Sequence, residues 1–175
     1  MTGFAAVETR PWRLSARGRK LTLLVHIVAA GAWVGIDVTK GIVVGAAMLS
    51  DDAETWALSY QVLELIATWP LFVAGLATLL SGVLLGMGTK YGLMRYWWVA
   101  VKLALNMVLV ALVLFALRPE VVALASEASA GEAVPVMETG LIYPVVVAPS
   151  ALLFAMTLAV FKPWGRIKKR LNGAR

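Results

Sequence analysis

Residues 21–49 read "LTLLVHIVAAGAWVGIDVTKGIVVGAAML", and this stretch decides the fold. It is apolar over a length that exceeds the roughly 20 residues a helix needs to cross a bilayer. It also holds the chain's one histidine, His26, with Asp37 and Lys40. Ionisable groups in lipid are expensive and usually pair or line a cavity. The spacing predicts which face carries them. His26, Ala30, Trp33, Asp37 and Lys40 alternate by four and three, so on a helix they share one side.

Three further apolar runs follow, at about 62–88, 96–117 and 141–161. Each is long enough to span, and none alternates as barrel strands do. The chain is 61% hydrophobic and 15% charged, against about 25% charged residues in soluble domains. Its mean hydropathy is +0.82. The expected fold is therefore all-α, a transmembrane four-helix bundle over residues 21–161. A basic tail precedes it at 1–20 and another follows at 162–175. The polar, basic start and the length of the first run argue against a cleaved signal peptide. The absence of cysteine excludes disulfides and thiolate chemistry.

Charge sorts by side. Of the 16 basic residues, all but Lys40, Lys102 and Arg118 fall in three segments. Arg10, Arg13, Arg17, Arg19 and Lys20 precede the first run, and Lys90 and Arg95 sit between the second and third. Lys162, Arg166, Lys168, Lys169, Arg170 and Arg175 follow the fourth. Acidic residues Asp51, Asp52, Glu54, Glu120, Glu127, Glu132 and Glu138 fall in the other two connections. The positive-inside rule places both termini in the cytoplasm, and the expected location is the cell's inner (plasma) membrane, as a multi-pass protein. A net charge of +6 and a pI near 9.9 then reflect topology and attraction to anionic lipid, not nucleic-acid binding.

The connections carry their own signals. Asp51 with Glu54 resembles a capping box. Trp56, Tyr60, Tyr91, Tyr96, Trp97 and Trp98 suit the aromatic belts at the interfaces. Glu120 to Ser129 reads either as an amphipathic helix on the membrane or as a solvated linker. Pro144 and Pro149 can kink the last run, and Pro163 and Trp164 mark its exit. Gly75, Gly82 and Gly86 in the second run allow close helix packing, and a homodimer is one outcome of such a pattern.

Two polar clusters are expected. At a rise of about 1.5 Å per residue, His26 and Asp37 lie about 16 Å apart on one helix and cannot share a site. His26, Lys102 and Asn106 match in depth on the cytoplasmic side. Asp37, Lys40 and Glu64 match toward the outer side. Asp37 and Lys40, three residues apart, can also pair with each other. No serine has a histidine and carboxylate at matching depth, so no catalytic set is defined. These features point to a membrane protein with a polar intramembrane site that binds a small ligand, a lipid or a partner without catalysis. One alternative is haem or copper binding, with His26 as a metal ligand and Met87, Met94 or Met107 as soft partners. Another is an ion or small-solute transporter with Asp37 and Glu64 at its outer entrance.

The residues "LVHIVAAGAWVGIDV" with "LLSGVLLGMGTKYGLMRYWWVAVKLALN" resemble a family of small actinobacterial four-helix integral membrane proteins of unknown function. The resemblance covers about residues 21–161. More distantly, the pattern made by His26, Ala30, Trp33 and Gly35 resembles the first helix of two larger groups. These are the copper-resistance inner-membrane proteins and the membrane protoporphyrinogen oxidases of the HemJ type. The latter resemblance implies a haem ligand at His26 and a functional lysine at Lys102. The chain departs from both groups in having no further histidine.

Overall fold

The computed structural model describes residues 13–88, 93, 95–131, 139–163, 165 and 167. The expectations placed on Arg10, Lys90, Tyr91, Met94, Glu132, Glu138, Trp164, Arg166, Lys168, Lys169, Arg170 and Arg175 lie outside them. Within the described residues the helices are α1 (Ala16–Met48), α2 (Ala53–Ala67), α3 (Trp69–Gly88), α4 (Trp97–Leu112), α5 (Arg118–Ser129) and α6 (Ile142–Phe161). They form four spans long and apolar enough to cross a membrane: Ala16–Met48, Ala53–Gly88, Trp97–Ser129 and Ile142–Phe161. Consecutive spans run in opposite directions. The start of α1 and the end of α6 therefore share one end of the bundle, the terminal end, and α2 and α5 lie toward the far end.

α1 starts where the Ser15 side chain accepts a hydrogen bond from the Gly18 N–H at 3.1 Å. Its 33 residues make a rod about 50 Å long, well beyond a hydrocarbon core of about 30 Å. Its buried face is Ala29, Trp33, Asp37, Lys40, Val44 and Ala47. Leu21, Leu24, Val25, Ile27, Val28, Val38 and Ile42 point outward. An aspartate and a lysine inside with leucines and isoleucines outside is the inverse of a soluble helix. It fits a solvent of lipid tails.

The second run is longer than its apolar stretch predicts. It begins at Ala53, and the N-cap is Asp52, not Asp51. Asp52 accepts from the Thr55 N–H at 3.0 Å and the Thr55 hydroxyl at 2.8 Å, which fixes the carboxylate at the head of the helix. The run breaks at Thr68, where φ is −99° and ψ is −98°. Pro70 has no N–H for the Ile66 carbonyl, so the regular ladder cannot pass. The Thr68 hydroxyl instead bonds the Glu64 carbonyl at 2.6 Å.

The third run does not stop at Leu117 either. A π-helical turn over Val113–Leu117 carries α4 directly into α5. Pro119 has no N–H for the Phe115 carbonyl, and the π-helical turn just before it, where the Arg118 N–H reaches back to the Val113 carbonyl, shifts the ladder to take the proline in. Val121, Ala125 and Ala128 are buried there, and α2 and α5 pack extensively on each other. Glu120 to Ser129 is thus neither a loop nor a helix laid on the membrane. It is the upper part of a span, held by a core that it shares with Tyr60, Leu63 and Ala67. Tyr60 is fully buried and does not belong to an interfacial belt. Trp56 binds the end of α1, donating to the carbonyls of Ala47 at 3.1 Å and Ser50 at 2.9 Å.

The glycines of α3 act by making room for side chains. A Cβ at Gly75 would lie 3.0 Å from the Trp33 ring and 3.1 Å from Val110. At Gly82 it would lie 3.3 Å from the His26 ring, and at Gly86 it would lie 2.6 Å from the side chain of Leu93. Gly82 and Gly86 therefore meet two different elements. Gly75 and Gly82 set how deeply the two polar rings of α1 seat against α3.

Candidate functional site

The expected polar residues fall into two places, one along the α1–α3 seam and one between α1, α4 and α6.

His26 lies in the seam, partly buried. Its Nδ1 is 3.1 Å from the Thr78 carbonyl oxygen and 2.9 Å from Ser81 Oγ. A carbonyl only accepts. The Ser81 hydroxyl donates to the Ala77 carbonyl at 2.6 Å, so its oxygen is free to accept as well. Nδ1 therefore carries the proton, and Nε2 is left with the lone pair in the neutral ring. Lys102 of α4 is half-buried and close enough to act electrostatically on the imidazole. Asn106, one turn on, holds its Oδ1 buried without a hydrogen-bond partner among the described residues. Thr78 and Ser81 were the unanticipated members. Two hydroxyl residues three apart in an otherwise apolar run were their only signal.

Asp37 and Lys40 are each 2% exposed. Lys40 Nζ donates to Asp37 Oδ1 at 2.5 Å and to the Pro144 carbonyl oxygen of α6 at 3.1 Å. The second bond ties α1 to the start of α6. Asp37 Oδ2 is buried and without a partner among the described residues, and so is the Trp33 indole Nε1. Glu64 is half-buried on α2, and no hydrogen bond or ion pair joins it to Asp37 or Lys40 among the described residues. At the far end Arg118 Cζ stands 4.8 Å from the centre of the Trp69 ring, a cation–π contact.

Beside the pair is a cavity of about 290 Å³. Trp33 and Lys40 contribute to it from α1, with Leu71 from α3. Leu112, Val113 and Ala116 form one wall, and Tyr143, Val147 and Ala148 the other. Glu120 and Gly140 stand at the far end. Leu112 is 49%, Tyr143 72% and Val147 52% exposed, so the cavity reaches the bundle surface between α4 and α6. An apolar cleft with a few convergent polar groups is the usual form of a small-molecule site. Nothing in a hydropathy reading announces it, since its walls are ordinary span residues.

Among the described residues no three His, Cys, Asp or Glu side chains are placed to hold one metal ion. Met87 and Met107 are 47% and 49% exposed on the outside of the bundle. In comparisons with known proteins, the chain matches no family model, no curated protein and no solved structure.

Proposed function

We propose that this is a binding protein of the cell's inner (plasma) membrane, with both termini cytoplasmic, that takes an amphipathic small molecule or lipid chain into the α4–α6 cavity. The observation that carries the reading is an apolar, side-opening cleft with the Lys40 side chain at its edge. Lys40 has three N–H groups and makes two hydrogen bonds among the described residues. A buried donor left without an acceptor costs about 1–3 kcal/mol, and a ligand head that accepts hydrogen bonds removes that cost. The volume is at the small end of ligand pockets, about 300–1,000 Å³. The three basic segments of the sequence support the cytoplasmic orientation.

The test is organic extraction and mass spectrometry of protein purified in nanodiscs. The wild type is expected to retain an amphiphile that Val147→Trp, which fills the cleft, does not. Identical extracts from the two, each matching the bulk lipid, would overturn the reading.

A second reading attaches to His26. A hydrogen bond from Nδ1 to a backbone carbonyl is how ligating imidazoles are commonly oriented, and Nε2 is the nitrogen so prepared. His26 would then be a single axial ligand to haem, or one ligand to copper. The bound group would supply redox chemistry. Hemin titration of the purified protein tests this. A Soret band that His26→Ala abolishes is the expected result, and its absence in the wild type would sink the haem form of the reading.

A further inference from the structure

We propose that the cavity takes a carboxylate borne on a single hydrocarbon chain, that the carboxylate captures Lys40 from Asp37, and that Asp37 takes up one proton as it does so. The inference rests on the cavity reading and specifies its ligand.

The argument is one of donors, acceptors and charge. Lys40 lines the cavity with one of its three N–H groups unspent among the described residues, so the polar capacity left at this end is that of a cationic donor. A carboxylate accepts that N–H and answers its charge. Asp37 and Lys40 together are neutral, and both are almost wholly buried. Adding an anion would leave a net negative charge in a poorly screened interior, where an uncompensated ion is costly. Of the groups around the site, Asp37 is the one placed to neutralise it. Its Oδ1 is held by Lys40 alone, and its Oδ2 is buried with no donor among the described residues. Once Lys40 turns to the ligand, no other hydrogen bond holds the Asp37 anion. One proton from solution binds Asp37, Lys40 stays an ammonium, the ligand stays a carboxylate, and the site remains neutral.

The other titratable groups facing the site are few. Glu120 of α5 stands at the far end and is exposed, and Tyr143 of α6 is mostly exposed in the wall. Tyr60 and Glu64 belong to α2, outside the cavity lining, and the lining residues from α3 and α4 are apolar. The Glu120 carboxylate disfavours an anionic head at its own end of the cleft. The head is thereby directed to Lys40, and the chain runs out between α4 and α6.

The experiment is calorimetric titration of the nanodisc-embedded protein with decanoate, and in parallel with decanol, near neutral pH. Two buffers of different ionisation enthalpy are used, and empty nanodiscs are subtracted. Decanoate is expected to bind with uptake of one proton, and its affinity should fall about tenfold per pH unit as pH rises, the slope for one linked proton. Asp37→Asn should bind decanoate with no proton uptake and no such slope. Isotope-edited infrared spectra of carboxyl-¹³C decanoate on the wild type should show the label as carboxylate. That readout decides the matter even if the variant fails to fold. Decanoate binding without proton uptake, or a protonated label, would overturn the exchange and leave the cavity reading standing. Failure of both decanoate and decanol to bind the folded wild type would overturn both.

Discussion

Lys40 holds together three things that sequence keeps far apart: the Asp37 carboxylate, the start of α6 through the Pro144 carbonyl, and the edge of the cavity. Its loss therefore costs more than one bond. Lys40→Met leaves a buried carboxylate without a counter-charge and is expected to destabilise the bundle by about 3–5 kcal/mol. Replacing both partners, Asp37→Leu with Lys40→Met, should recover most of that, because two apolar groups need no pairing in lipid. Denaturant titration of the single and double variants in micelles checks both. An equal loss in the two would show that the pair itself is not what matters. Gly75 offers a second test at this scale. Ala at 75 would press on the buried Trp33 ring and on Val110, and overpacking of this kind costs about 1–3 kcal/mol. Gly31→Ala meets open space and is expected to be neutral or slightly stabilising in the same assay. The Asp37–Lys40 pair was legible as a three-residue spacing within one run. The partners of His26 were not, since they sit on another helix more than fifty residues away and nothing local specifies that register.

At the level of elements, hydropathy located the four spans but not their ends. Pro119 reads as a stop, yet the π-helical turn before it shifts the hydrogen-bond ladder, so the helix continues through α5. The stripe Val121, Ala125 and Ala128 finds its complement on α2, and the match is visible only once both extensions are helical. α2 in turn depends on its cap. The hydroxyl and backbone N–H of Thr55 hold the Asp52 carboxyl below its ordinary value of 3.8. A depressed folded value means that the stabilisation is present above 3.8 and is lost as pH falls through the lower, folded value. Hydrogen-exchange protection at the start of α2 should therefore be flat near neutrality and drop in strong acid. Asp52→Asn, which can still cap, should lose that acid step. An acid step that persists in the variant would assign it to another group.

For the whole molecule, four spans long and apolar enough to cross a membrane make the bundle, and α2 and α5 form its far end. The absence of cysteine makes the orientation directly measurable. Single cysteines at Asp51 and Ala130 should react with an impermeant thiol reagent added outside intact cells. One at Gly165 should react only after the membrane is opened, and the reverse pattern would invert the topology. What sequence could not supply at this scale is the cleft, because a cavity is set by how far two helices stand apart and by which side chains fail to fill the gap. Its occupancy is the central claim. The most direct measurement is photo-crosslinking of the nanodisc-embedded protein with a fatty acid carrying a diazirine in its chain, followed by peptide mapping. Adducts concentrated on Leu112, Ala116, Tyr143 and Val147, and competed by excess decanoate, are the predicted result. Adducts spread over outward residues such as Val25, Ile27 and Leu84, with no competition, would contradict the account.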